Sequence, residues 1–538
     1  MLDLLLRDVH ALTMTERRPV AHTVGVFDGR IVGLDEQVED LTARRVVSGG
    51  GAVLAPGFAD AHNHMVWFGL SLAELDLSAC TSLEEVYDLV ARRAAALPSD
   101  GWVIGSGYDD FVLGGHPSRA ALDRAGGGRA VWLKHRSAHM CVVSSAILAE
   151  TGVLDGTATV PEAGVVGRDE AGEPTGLLAE QAQQLVDGLV KPYPVEELAA
   201  AVARAARRYV AEGLTHVTEA GVGGGWIGHS PAEVSAYQLA RQRGELRLRV
   251  ELMPASEVLR PLPGDTVGLD LGLRPGFGDD LLSIGPMKIF TDGALSSRTA
   301  AVTEPFIGHG GLGVLGDDPE VLRTRMLAAH RSGWRIAAHA IGDRAIDLTL
   351  DTLEEAQRTL PRPGVRHRIE HAGMVRPDQL PRMARLGVVP VPQARFLHEI
   401  GDTMAESVGP RRVPWLYRHR SFLEAGLRVP GSSDRPCVGT GAPLSGMRSM
   451  VERRTKAGIE LGAQERVTAK EALRAYTTHA AYASHQEHRR GKLARGALAD
   501  LVLLAEDPTT VASSKLADIE VLATFVAGEL VHGTLPGL

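Results

Sequence analysis

Cysteine is nearly absent from this chain. Its 538 residues hold three, Cys80, Cys141 and Cys437, far apart and in no C-x-x-C spacing. That excludes a disulfide-stapled secreted domain and suits a reducing compartment, so a cytoplasmic location is the expectation. Aromatic residues are also sparse, at 4%. Basic excess is missing: the formal net charge is −9, and no Lys/Arg block marks a nucleic-acid or membrane-surface footprint. No apolar run reaches the length of a membrane span. The opening "MLDLLLRDVHALTM" is broken by Asp3, Arg7 and Asp8 and lacks a basic lead, so it reads as a strand and not as a signal peptide. What is present is a 44% hydrophobic composition, enough for a large core. A small-molecule partner is expected, with no nucleic acid and no membrane; a homo-oligomer stays open.

Strand-like runs alternate with helical segments, the pattern of a parallel α/β fold. Eight runs read as barrel strands: "GFADAH", "GLTHVTEA", "LRLRVELMP", "GPMKIFTDG", "WRIAAHAIGD", "RHRIEHA", "GVVPVPQA" and "LRVPGSSD". A TIM-like (β/α)8 barrel fits, with its chemistry at the C-terminal ends of the strands. The stretch between the first two runs is too long for a barrel loop and carries its own strands, so it is expected to form a cap. Short alternating strands near both chain ends suggest one small β-sandwich shared between them. The expected partition is 1–55 for the first part of the sandwich, 56–81 for the start of the barrel, 82–195 for the cap, 196–480 for the rest of the barrel and 481–538 for the end of the sandwich.

In "PGFADAHNHMVWFGL" two histidines stand one residue apart after an apolar run. Side chains alternate along a strand, so His62 and His64 leave one face while Asn63 points away, which makes a chelating pair. Alone, such a pair is as well explained by two loop histidines. Lys288, His339, His371 and Asp434 each fall late in another barrel run, where this architecture keeps functional groups. Imidazole and carboxylate together suit zinc and similar divalent ions. A single strand histidine is more often a core residue, but four with an aspartate at the same end of different strands are not explained that way.

These motifs resemble the metal-dependent amidohydrolase superfamily, in particular the branch with N-substituted formamide deformylases. The resemblance spans "PGFADAHNH", "KIFTDGALSSRTA", "HAIGDRAID", "RIEHA", "GSSDRP" and "GKLARGALADLVLLAEDP", hence nearly the whole chain. It implies that His62 and His64 bind the more buried of two zinc ions, and His339 and His371 the more exposed one. It implies that Asp434 contacts metal and takes the proton from the attacking water, and that Lys288 is carboxylated and bridges the ions, since an ammonium has no lone pair to give. A Lys288 paired with Asp292 or Asp434 is the plainer alternative. The implied reaction is hydrolysis of a C–N bond, in an N-substituted amide or formamide, by water activated on one or two divalent ions. A deaminase or cyclic-amide hydrolase of the same superfamily, or a non-catalytic metal-binding relative, is the alternative; metal ligands alone do not name a scissile bond.

Substrate contacts are sought around this set. Trp67 follows the histidine pair, and Tyr108 with Asp109 lies in "GSGYDD", which the resemblance places in the cap. The pair His135 and His139 in "KHRSAHM" falls in a segment similar to the family's "SGH" element, with His139 a candidate substrate contact, while "VVSSAIL" has Ser144 where the family usually has Asn. Arg298 in "SSRTA" could hold a carbonyl or anionic group, or make a structural ion pair.

Overall fold

Leu214–Val222 is a strand in which all nine residues are buried, as a strand covered on both faces requires. It belongs to a computed structural model that describes residues 1–534 except 137–139, 162–163, 226, 265 and 309; the His139 of the sequence reading lies outside the described residues. The chain forms two compact units, Met1–Met65 with Val202–Leu538, and Val66–Ala201. No helix among the described residues is long and apolar enough to cross a membrane.

The first unit is built on parallel strands. These are β1 (Phe58–Asn63), β2 (Leu214–Val222), β3 (Arg249–Pro254), β4 (Leu282–Ile284), β5 (Met287–Phe290), β6 (Ile336–Ala340), β7 (Arg368–His371) and β8 (Val389–Val391). One ladder runs β4-β3-β2-β1 and a second β5-β6-β7-β8, every pairing parallel. A parallel bridge between Ala255 and Lys288 joins them. The other seam is closed by "LRVPGSSD", residues 427–434. This run is a correction to the sequence reading: it forms no ladder strand. Single backbone bonds, Ala61 to Gly431 (3.0 Å) and Asp434 to His62 (2.7 Å), tie it to β1. Pro430 has no amide to donate, and Asp434 adopts φ 55, so a regular ladder cannot run through it.

Both chain ends supply a β-sandwich in the same unit. One sheet has the order Arg30–Leu34, Val24–Phe27, Leu2–Arg7, Ala43–Ser48; the other runs from Glu529–Gly533 through Val521–Val526, Leu501–Leu504 and Val53–Pro56 to His10–Leu12 and Val20–Ala21. Leu4, Leu6, Ile31, Val47, Leu54, Leu503 and Phe525 fill the space between. A buried bidentate pair binds sandwich to barrel: Arg249 on β3 reaches both Asp500 oxygens, at 2.7 and 2.8 Å. The second unit, Val66–Ala201, has its own six-stranded sheet, from Gly164–Arg168 through Pro174–Glu180, Met140–Val143, Val131–His135 and Val103–Tyr108 to Leu75–Asp76.

Behind β6 the fold stores neutral histidines. His367 Nδ1 accepts the Ile336 amide (3.0 Å). His367 Nε2 therefore donates to His330 Nδ1 (2.9 Å), and His330 Nε2 donates to the Leu360 carbonyl (2.8 Å). Burial holds both rings below the usual histidine range, with His330 and Arg362 adding to the effect on His367. Burial also lowers His419 to about 3 and His479 to about 4. Such groups stay neutral in the fold while the unfolded chain takes up protons below its ordinary value of about 6.5. Their contribution is therefore complete above about pH 6.5 and is lost as pH falls from there toward the folded values. Denaturant unfolding at fixed pH should give a stability that declines as pH falls from 6.5 to 4, with a slope greater than one proton's about 1.4 kcal/mol per pH unit. A flat profile across that window would refute the assignment.

Candidate metal centre

Alternation along β1 sets the site. Asn63 turns outward, accepting from the Tyr209 hydroxyl (2.9 Å) and donating to the Thr218 carbonyl (3.1 Å). His62 and His64 face the other way, and their Nε2 atoms lie 3.1 and 2.9 Å from one oxygen of Asp434. The three donor atoms all fall within 4.8 Å of one another, and all three residues are buried. Two further imidazoles stand beside them: the ring of His371 is 4.9 Å from that of His62 and 4.4 Å from that of His339, centroid to centroid. Lys288 Nζ approaches His62 Nε2 at 3.5 Å. These six residues come from β1 and its end, β5, β6, β7 and the 427–434 seam.

Each ring is held by one nitrogen, which sets what the other can do. His62 Nδ1 meets the Glu370 carboxylate at 2.5 Å. His371 Nδ1 donates to Gln393 Oε1 at 2.7 Å. His339 Nε2 donates to the Gly293 carbonyl at 3.1 Å, and its buried Nδ1 has no hydrogen-bond partner among the described residues. His64 Nδ1 lies 3.7 Å from Glu219. A hydrogen bond at one ring nitrogen fixes the tautomer and leaves the lone pair on the other, which is how proteins present histidine to a metal. The donor spacing also fits: bonds of about 2.0–2.2 Å in a tetrahedral site separate ligand atoms by roughly 3.3–3.5 Å. The residues present therefore suit a divalent ion.

Charge is distributed to match. Burial would push the Asp434 carboxyl up, but His62 and His64 beside it outweigh this and hold it well below the usual carboxylate range. Burial works against Glu370 ionisation too, and Arg368 with His62 overcomes it. His64 goes up to about 9 because Asp434 and Glu219 outweigh its burial. His339 is lowered to about 3 by burial and by the Lys288 charge. Burial likewise lowers Lys288, to about 8, against the pull of Glu370 and Asp434. The backbone is strained at two of these positions: His371 has φ 69 and Asp434 φ 55, conformations that cost non-glycine residues about 1–3 kcal/mol each and gather at functional sites.

Several supports were not singled out in the sequence. Asp60 accepts the amides of His62 (3.1 Å) and Ser433 (3.0 Å), pinning β1 to the seam. Asp292, the alternative partner for Lys288, instead accepts the amides of Ala301, Ile341 and Gly342. Glu219 and Glu370 had a signal, a charged residue inside an apolar barrel run, and only the partner across the barrel gives it meaning. The outer candidates have contacts of their own. Arg298 donates to Ser407 Oγ at 3.4 Å. Trp67 is half-buried on the helix Met65–Ser71. Tyr108 is fully buried in the core of the Val66–Ala201 unit, and Asp109 caps the helix Asp110–Leu113. Ser144 Oγ takes the Val131 amide (2.9 Å), a structural bond.

The model of the amidohydrolase family termed Amidohydro_3 matches residues 45–532. The chain belongs to that family. It is 31% identical to the N-substituted formamide deformylase of Arthrobacter pascens over 98% of both chains. It is 30% identical to the protein LONG AFTER FAR-RED 3 of Arabidopsis thaliana, over 98% of this chain and 91% of the plant protein. An uncharacterised metal-dependent hydrolase from Pyrococcus horikoshii superposes with a TM-score of 0.80 at 26% identity, covering 95% of this chain and 99% of that one. With the His/Asp cluster, family membership makes this a metal-binding hydrolase site of the kind that cleaves C–N bonds.

Replacing Glu370 by Gln tests the ring-orienting bonds. It leaves Arg368, fully buried, without its countercharge, so stability should fall by about 3–5 kcal/mol. Metal affinity should weaken by about 10- to 100-fold. Denaturant titration and competition with a chelator read the two effects; unchanged metal affinity would show that Glu370 does not orient His62.

Proposed function

We propose that this chain is a zinc hydrolase of N-substituted amides, with N-formyl amines the leading class. The observation that carries the reading is the presentation of ring nitrogens: His62, His339 and His371 are each fixed through one nitrogen, their rings lie 4.9 and 4.4 Å apart in succession from His62 through His371 to His339, and His62 Nε2 stands 3.1 Å from Asp434. In this reading His62 and His64 hold one ion, His339 and His371 the second, and Asp434 contacts the first. Nitrogen and oxygen donors of this kind suit zinc. Lys288, once carboxylated, would be a further ligand to these ions. Its burial and lowered pKa of about 8 support this, because the neutral amine is the form that adds carbon dioxide, releasing a proton as the carbamate forms. The deformylase of Arthrobacter pascens, similar along the whole chain, supports the substrate class.

A bound divalent ion supplies water with a pKa of about 7 and a polarised carbonyl oxygen. The protein supplies the rest. Asp434 stays ionised, placed between His62 and His64, and so can accept the proton of the attacking water and hand it to the leaving nitrogen. His339 and His371 keep their geometry through Gly293 and Gln393. Glu370 and Glu219 hold the first pair.

Hydrolysis of a panel of N-formyl and N-acyl amines, with elemental analysis of the same sample, tests the reading. Up to two zinc ions per chain and turnover of N-formyl amines are expected. Asp434→Asn should lower turnover by about 10²- to 10⁴-fold while keeping more metal than His62→Ala or His64→Ala. Lys288→Ala should recover in part with added short carboxylic acids, and Asp434→Asn should not. Near-normal turnover of Asp434→Asn with full metal would move the proton to another residue and overturn the mechanism.

A further inference from the structure

The Val66–Ala201 unit holds a second group of donors. Asp109, Asp110 and His135 each offer one ligand atom, all within 4.8 Å of one another. Strand register produces the group: Val103–Tyr108 pairs in parallel with Val131–His135, with Tyr108 opposite His135. Asp109 and Asp110 follow directly from the first strand end while His135 closes the second. His135 Nε2 lies 3.0 Å from Asp110 Oδ1, close to the roughly 3.3–3.5 Å between neighbouring ligands of a tetrahedral ion.

An outer chain orients this carboxylate. His116 Nε2 faces the second oxygen of Asp110 at 3.8 Å, and His116 Nδ1 lies 3.2 Å from the Tyr108 hydroxyl. Tyr108, His116 and His135 pack edge to face, with centroids 5.0 to 6.3 Å apart. Burial pushes the Tyr108 phenol up, so its hydroxyl keeps its proton. The His116 ring thus stands close behind the Asp110 carboxylate, where outer groups around metals sit. Asp109 is steadied by Arg136 on one oxygen and the Phe111 amide, 3.1 Å, on the other. The side chain of His135 is 9% exposed and that of Asp110 27%, which leaves a path for an ion to a mostly buried nitrogen.

We propose that Asp110 and His135, with Asp109 as third donor, form a divalent-metal site of the zinc class. It shares no residue with the barrel centre and does not rest on the hydrolase reading. Binding ties the helix Asp110–Leu113 to the two strand ends, and Arg136 gives up its contact with Asp109 as the ion enters.

Equilibrium dialysis of the full-length chain against buffered zinc, with elemental analysis, tests it. Wild type should hold one more zinc than His135→Asn. The double variant His62→Asn, His64→Asn should keep that extra zinc and lose it when His135→Asn is added, whatever becomes of hydrolysis. His116→Gln should keep the stoichiometry and bind about 10- to 100-fold more weakly. Equal zinc in wild type and His135→Asn, or no zinc in the barrel double variant, would overturn the site. Circular dichroism checks that each variant is folded. Should His135→Asn fail that check, His116→Gln decides alone, and an unchanged affinity refutes the proposal.

Discussion

A buried charge clamp across the barrel carries the site. Arg368 and Glu370 sit on one face of β7, two residues apart, joined at 2.7 Å. From there Arg368 reaches the Ala61 carbonyl (2.6 Å) and Glu370 reaches His62 Nδ1 (2.5 Å), both on β1. Neither charge is exposed at all, so each depends on the other: an unpaired ion in such a place costs several kcal/mol. The strand that bears His371 is thus held against the strand that bears His62, and ring direction is fixed by the same bond that neutralises the buried arginine.

The remaining features follow from having to gather donors from distant strands. A barrel brings strand ends together, but it does not aim side chains, and aiming is done by short-range hydrogen bonds at each position. Gly293 does it for His339 and Gln393 for His371, while the Glu219 carboxylate stands 3.7 Å from His64 Nδ1. Asp434 comes from a segment without ladder bonds, so its place depends on Asp60, which accepts from the residue before it and from His62. The left-handed backbone at His371 and Asp434 costs stability that the surrounding bonds must offset.

Much of this was legible in the sequence because barrel strands are near-continuous apolar runs, and a histidine or aspartate at the end of one stands out. The runs bearing His62, His339 and His371 are read that way and fold as parallel strands. Residues 427–434 read as an eighth strand by the same rule, but Pro430 and the φ of Asp434 replace the ladder with isolated bonds. The orienting carboxylates were harder to read. Glu370 is defined by His62, 308 residues away in sequence, and Glu219 by the Met65 amide it accepts, 154 residues away, separations that local periodicity does not encode. Tyr108, which the resemblance places in the cap, puts its ring in the core of the Val66–Ala201 unit, and its hydroxyl meets His116.

The central claim is that buried imidazoles, fixed from behind, present their lone pairs to a divalent ion. X-ray absorption at the zinc edge of the zinc-loaded protein tests it most directly. The account predicts a shell of nitrogen and oxygen only, at about 2.0–2.2 Å, with the outer-shell scattering of several imidazoles. A sulfur scatterer at about 2.3 Å, which would put Cys437 on the ion, or a shell without imidazole, would contradict it.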